Sequence, residues 1–170
     1  MLPFLAIDAE CAAVAYHEAS HCCAAHRLQI PFRFVEIIRT DNGGYRGVMR
    51  SIAHRTTPRH AVLDLAGACG EARWSGEPIL ELFRTTAKTD LRMARDACDA
   101  LGPRHRVDIY SALVQAQKLV EANWSSIERL AIALIERDRL EYDEVLRVLQ
   151  PPIPVGWRSP RWPRQQASFR

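Results

Sequence analysis

Much is scarce in this sequence of 170 residues. No apolar run approaches the roughly 20 residues a membrane-spanning helix needs. The opening MLPFLAIDAE has no basic segment before its apolar start, and Asp8 and Glu10 interrupt it, so it makes a poor secretory signal. Five cysteines are present: Cys11, Cys22, Cys23, Cys69 and Cys98. Their number is odd and no Cys-x-x-Cys pair occurs, which argues against a disulfide framework and for reduced thiols in the cytoplasm. Charge of one sign is also lacking outside the C-terminus. Basic residues number 23 against 20 acids, and four of the arginines (158, 161, 164 and 170) lie in the last twenty residues, where no acid occurs. The body is therefore near neutral and offers no basic face for nucleic acid. No internal repeat is found.

What remains is an ordinary globular composition, 48% apolar and 25% charged, in a length that suits one domain with a sizeable core. From Ala6 to about Leu28 the chain is rich in Ala and free of Gly and Pro, so one helix is expected, ended by Pro31. Phe32 to Thr40 reads as a strand, DNGG (Asp41 to Gly44) as a turn and Tyr45 to Ile52 as the returning strand. Pro58 suits a helix's first turn, and Ala61, Val62, Leu65, Ala66, Cys69 and Ala72 continue it at helical spacing to Trp74. A further helix runs from about Thr89 to Leu101, stopped by Gly102 and Pro103. Val107 to Arg137 is the longest helical stretch, with a break near Asn123. Tyr110, Leu113, Val114, Val120, Trp124, Ile127, Leu130, Leu134 and Ile135 mark its apolar face. EYDEVLRVL forms a short last helix. The architecture is mainly α with a small β-hairpin, over residues 1–150. Residues 151–170, rich in Pro, Arg and Trp, read as a flexible tail or as an arm that docks Trp157 and Trp162 on a neighbour.

Within the first helix stands AYHEASHCCAAH, with His17, Glu18 and His21 in the order His-Glu-x-x-His. Residues four apart share a helix face, so two imidazoles can meet one ion. Zn²⁺ takes such nitrogen ligands in four-coordination, and a catalytic site keeps one position open. Glu18, one step round the helix, is placed to take a proton from a water that the ion acidifies. Chance alone produces this pattern on the order of once per hundred chains of this composition, so a third ligand has to be found. His26 lies five residues past His21 and swings off the shared face. His54, His60 and His105 fall at loops or helix starts. Asp90 and Glu71 remain, and spacing does not choose between them. Cys22 and Cys23 point away from the histidine face and read as core thiols. Trp74 and Trp124 read as core or interface anchors.

These motifs, taken in order, resemble the peptidase domain of the FtsH-type ATP-dependent zinc metalloproteases. VAYHEASH (Val14 to His21) is similar to that family's zinc helix. NGGYRGVM (Asn42 to Met49) looks like its hairpin, and DLAGACGEA (Asp64 to Ala72) like its Leu-Ala-Gly…Glu helix. TTAKTDLRMARDAC (Thr85 to Cys98) resembles the stretch that delivers its third ligand, and Val107 to Leu149 its closing helices. The resemblance covers roughly residues 9 to 149. It implies a helical zinc metallopeptidase domain in which His17, His21 and Asp90 bind zinc and Glu18 is the general base. Glu71 then stands behind a ligand and orients it. Two positions depart from the pattern. Ser20 stands where the family usually has Gly inside the motif, and Thr86 replaces a Gly usual in the loop before the Asp.

The chain has neither a phosphate-binding loop nor a membrane segment. The resemblance then implies an endopeptidase that cuts unfolded or short polypeptides, alone or beside a separate unfoldase. Family members form rings, so a homo-oligomer is a further expectation. The competing expectation is a non-proteolytic, zinc-stabilised interaction module, since likeness of fold does not fix activity. On the peptidase reading a substrate can add as a strand to the hairpin edge, along either Phe32 to Thr40 or Tyr45 to Ile52.

Overall fold

The computed structural model describes residues 8–52, 57–100 and 108–150. Ala6, Ile7, His54, Leu101, Gly102, Pro103, His105, Val107 and the tail from 151, with Trp157 and Trp162, lie outside the described residues. The chain is mainly helical with a small antiparallel sheet, as its composition and periodicity lead one to expect.

Helix α1 (Ala9–Leu28) is capped by Asp8, whose Oδ1 accepts the Glu10 N–H at 2.9 Å. It ends at Gln29, which takes the left-handed conformation at φ 58° and returns its N–H to the last turn; the Ile30 N–H closes on the Ala25 carbonyl at 2.9 Å. Pro31 follows, and strand β1 (Phe32–Arg39) pairs with β2 (Tyr45–Ser51) in the register Val35↔Met49 to Arg39↔Tyr45. Helix α2 (Pro58–Ser75) starts on Pro58, with the Thr57 N–H donating to His60 Nδ1 at 3.2 Å. His60 thus serves the helix end, as its position in the sequence suggests. A short helix α3 (Ile79–Leu82) precedes α4 (Lys88–Asp99). Helices α5 (Ile109–Ala122) and α6 (Trp124–Arg137) divide at Asn123, where the break was expected. Strand β3 (Arg139–Glu141) and helix α7 (Tyr142–Leu149) close the described chain.

Three expectations are corrected. The hairpin is a three-stranded sheet of order β2-β1-β3, because Phe34 to Glu36 pair with Arg139 to Glu141. The β1 edge is therefore occupied there, and the outer edges of the sheet belong to β2 and to the three-residue β3. Helix α3 was not expected, since four residues leave no helical period to detect. Tyr110 was assigned to the buried face of α5 but is 69% exposed; Ala112, Ala116 and Val120 line the buried side instead.

Helix α1 lies at the centre, against α2 on one side, α6 on another and β2 on a third. Its contact with α2 runs over two glycines: a Cβ on Gly67 would meet the rings of His17 and His21, and one on Gly70 would meet the Ser20 side chain. Small side chains let helix axes approach to the near end of the usual 8–10 Å. This closeness positions the candidate site. Among the described residues, no helix is long and apolar enough to cross a membrane.

Candidate metal centre

His17 and His21, one turn apart on α1, turn toward α2 and the start of α4. Their Nε2 atoms are 3.0 Å apart. Asp90, in the first turn of α4, brings Oδ2 to 3.0 Å from His17 Nε2 and 3.8 Å from His21 Nε2. Ligands about 2.0–2.2 Å from a tetrahedral ion stand about 3.3–3.6 Å from one another. The three distances bracket that value. Among the described residues these three form the group whose ligand atoms all lie within 4.8 Å of one another and so could hold a metal ion.

Hydrogen bonding explains why the arrangement suits a cation. The Nδ1–H of His21 donates to the Leu63 carbonyl at 2.8 Å. The Nδ1 of His17 is bound to Glu71 Oε2 at 2.8 Å. When both imidazoles are neutral, their only hydrogens are thus committed away from the centre. Two nitrogen lone pairs and a carboxylate oxygen then converge on one point, and three acceptors facing each other need protons or a metal ion to satisfy them. The electrostatics agree. Burial disfavours charge on His17, but the hydrogen bonds to Asp90 and Glu71 outweigh it and raise its pKa to about 10. His21 is likewise raised, because its hydrogen bond to Asp90 overcomes the burial. Burial alone would lift Asp90; the two imidazoles instead hold it below the usual carboxylate range. The first turn of a helix also favours a negative charge.

Two glycines make the room. A Cβ on Gly67 of α2 would run into His21 Nε2 and sit 2.5 Å from His17 Nε2, so a methyl there would fill the space the ligand atoms surround. A Cβ on Gly47 of β2 would collide with the Glu18 side chain. Glycine inside a helix costs about 1 kcal/mol against Ala. Gly67 in the middle of α2 was the signal in the sequence that something approaches this backbone, and it went unread.

Glu18 is 7% exposed, and its Oε2 has no hydrogen-bond partner among the described residues. Burial raises its pKa. It lines a cleft of about 430 Å³ together with His17, Asp90, Tyr45, Arg46 and Gly47. The β2 strand forms one wall of this cleft, and its outer edge is unpaired among the described residues.

The two carboxylates left open by spacing take different places. Asp90 joins the two Nε2 atoms, while Glu71 sits behind His17 on the other ring nitrogen. Neither departure in the motifs disturbs the geometry. The Ser20 hydroxyl donates to the Tyr16 carbonyl at 2.7 Å and packs into the space Gly70 leaves. Thr86 leaves Asp90 in reach and donates to Glu71, at 3.2 Å to Oε1 and 3.3 Å to Oε2. Sequence reasoning missed that contact and the role of the Leu63 carbonyl. Nothing in residue type or spacing announces either.

The remaining candidates stand apart. His26 is half-buried at the end of α1, away from the cluster. Cys22 and Cys23 are buried, and burial holds both thiols protonated, Cys23 at about 11 despite Arg27 nearby. Neither presents a thiolate. Tyr16 is stacked between Trp74 and Trp124, with ring centroids at 5.5 and 5.4 Å, and Arg73 lies 4.7 Å over the Trp124 ring. These aromatics pin α1 to α2 and α6, just before His17. Compared with protein-family models and with curated proteins, the chain matches none.

Proposed function

We propose that this protein is a zinc-dependent endopeptidase, akin to the FtsH-type peptidase domain, that hydrolyses unfolded or short polypeptides. The observation that carries the proposal is the convergence of three acceptor atoms, from His17, His21 and Asp90, in a cleft that also holds a buried carboxylate with a free oxygen. Three protein ligands with one position left open are what a catalytic zinc site requires. A bound zinc ion supplies Lewis acidity toward the scissile carbonyl and lowers the pKa of the attacking water.

The chain's own residues do the rest. Glu18 takes the water's proton on its free oxygen and returns it to the departing amine. Its raised pKa suits a group that must hold that proton between the two transfers. Glu71 fixes the ring of His17, and the Leu63 carbonyl fixes that of His21. The substrate docks as an added strand on the free edge of β2, where main-chain hydrogen bonds give sequence-tolerant binding. Gly47 lets that strand pass close to Glu18. On this reading folded substrates are supplied by an unfoldase. Five buried free thiols suit a reducing, cytoplasmic setting.

The test is Glu18→Gln, assayed with zinc on casein or a quenched peptide. The variant should keep its zinc and lose about 10²–10⁴-fold in turnover, the usual worth of a general base. Wild-type protein that binds zinc stoichiometrically but cleaves nothing would identify an interaction module instead. Equal turnover by both forms would remove Glu18 from the reaction.

A further inference from the structure

Of the hydroxyl residues that line the cleft, Thr86 is the one bonded to Glu71 behind His17. Thr86 lies in the turn between α3 and α4, a turn held by the Thr85 hydroxyl on the Glu81 carbonyl at 2.8 Å and the Ala87 N–H on the Leu82 carbonyl at 2.8 Å. From there its own hydroxyl reaches across to α2 and straddles both oxygens of Glu71, at 3.2 and 3.3 Å. Glu71 is 6% exposed. Among the described residues its carboxylate has two hydrogen-bond partners, the Thr86 hydroxyl and the His17 ring. A buried carboxylate held from one side can rotate about its last torsion, which is broad and soft. Held from both sides it cannot.

His17 is the ligand that feels this most. Its Nε2 stands 3.0 Å from both other ligand atoms, so it is the corner the other two share. A tilt of its ring moves the lone pair off the common point. We propose that Thr86 is a positioning residue of the metal centre: through Glu71 it sets the ring angle and the Nδ1–H tautomer of His17, keeping Nε2 aimed at the ion. This inference rests on the metal reading above. It adds a third link, hydroxyl to carboxylate to imidazole, that ties the α3–α4 turn to α1. The same turn leads directly into Asp90, so one short segment both supplies a ligand and aligns another.

Zinc affinity, measured by competition with a chromophoric chelator, tests it on wild type, Thr86→Val, Thr86→Ser and His17→Ala. The visible spectrum of the cobalt-substituted proteins reads ligand geometry independently of turnover. Thr86→Val keeps the shape and removes the hydroxyl. It should weaken zinc binding about 10-fold, the low end for groups behind a ligand, and alter the cobalt bands. Thr86→Ser should restore affinity to within about twofold, since it returns the donor. An unchanged affinity and spectrum in Thr86→Val overturns the proposal while leaving the metal site intact. A serine variant as weak as the valine variant also overturns it, because the methyl rather than the hydroxyl would then matter. If wild type binds zinc no better than His17→Ala, the metal reading itself fails, and the role of Thr86 with it.

Discussion

The two sides of α1 are built from different materials. Toward α2 it presents His17, Ser20 and His21, which stand over Gly67 and Gly70 and reach Glu71 and the Leu63 carbonyl. On the other side the buried residues of α6, β3 and α7 are Ile127, Leu130, Leu134, Leu140 and Val145, with Ser126 as the buried polar residue of that side. Large aliphatic side chains contribute about 1.5–3 kcal/mol each when buried, and they hold backbones apart. Small ones contribute little but let one helix touch the backbone of the next. The α1–α2 contact gives up transfer energy to bring the His21 ring to the Leu63 carbonyl and both Nε2 atoms over Gly67. The aliphatic side supplies the stability that this arrangement forgoes. The Trp74–Tyr16–Trp124 stack joins the two.

Substitutions on each side can break this division. Gly67→Ala should have the largest effect, reducing zinc affinity by more than the roughly 10–100-fold typical of changes behind a ligand, because its methyl enters the ligand space itself. Chelator competition reads it, and wild-type affinity in this variant would mean that closeness is not what the small residues are for. Leu130→Ala, fully buried on the other side, should cost about 2–5 kcal/mol in urea unfolding while the folded fraction binds zinc as before. A matching loss of zinc affinity would show that the two sides are not separable.

Asp64 sharpens the contrast through pH. It is 8% exposed on α2, and burial pushes its pKa up to about 7 from an ordinary 3.8. Between those values the folded protein holds a proton that the unfolded chain has lost, so its contribution to stability falls as pH rises from about 4 to about 7. Asp64→Asn lacks this titration. In the presence of a chelator it should gain on the order of 1–3 kcal/mol on wild type between pH 4 and pH 8. Parallel pH profiles for the two proteins would mean that the carboxyl is better solvated than its burial suggests.

The smallest effects belong to the two left-handed helix ends, one on each side. Gln29→Gly should stabilise by roughly 0.5 kcal/mol, because a long side chain at φ 58° is strained. Asp138→Gly at φ 60° should change thermal stability by less, since Asp tolerates that conformation.

Much of this molecule was legible in the chain. The Ala-rich first helix, the DNGG turn, Pro58 at a helix start and the break at Asn123 are local events, and local sequence reports them. So is the pairing of His17 with His21, which one helical turn guarantees. Strand β3 was not legible, because three residues carry no period and its pairing depends on a free stretch of β1 some hundred positions earlier. Tyr110 was misassigned because an apolar ring was counted as core while Ala112 and Ala116 beside it were passed over. A small residue is a weak signal to the eye, yet here it marks the tightest contacts.

By itself the sequence determined the longer helices, the hairpin and one face of one helix, with two imidazoles and a carboxylate at fixed intervals. Backbone geometry converts such intervals directly into direction. Which of two distant carboxylates completes the group, which strand edge stays open and which glycines leave room were decided only when the helices packed. Asp90 and Glu71 lie 73 and 54 positions from His17, and over such separations it is the packing of α2 and α4 on α1 that sets which oxygen reaches which nitrogen.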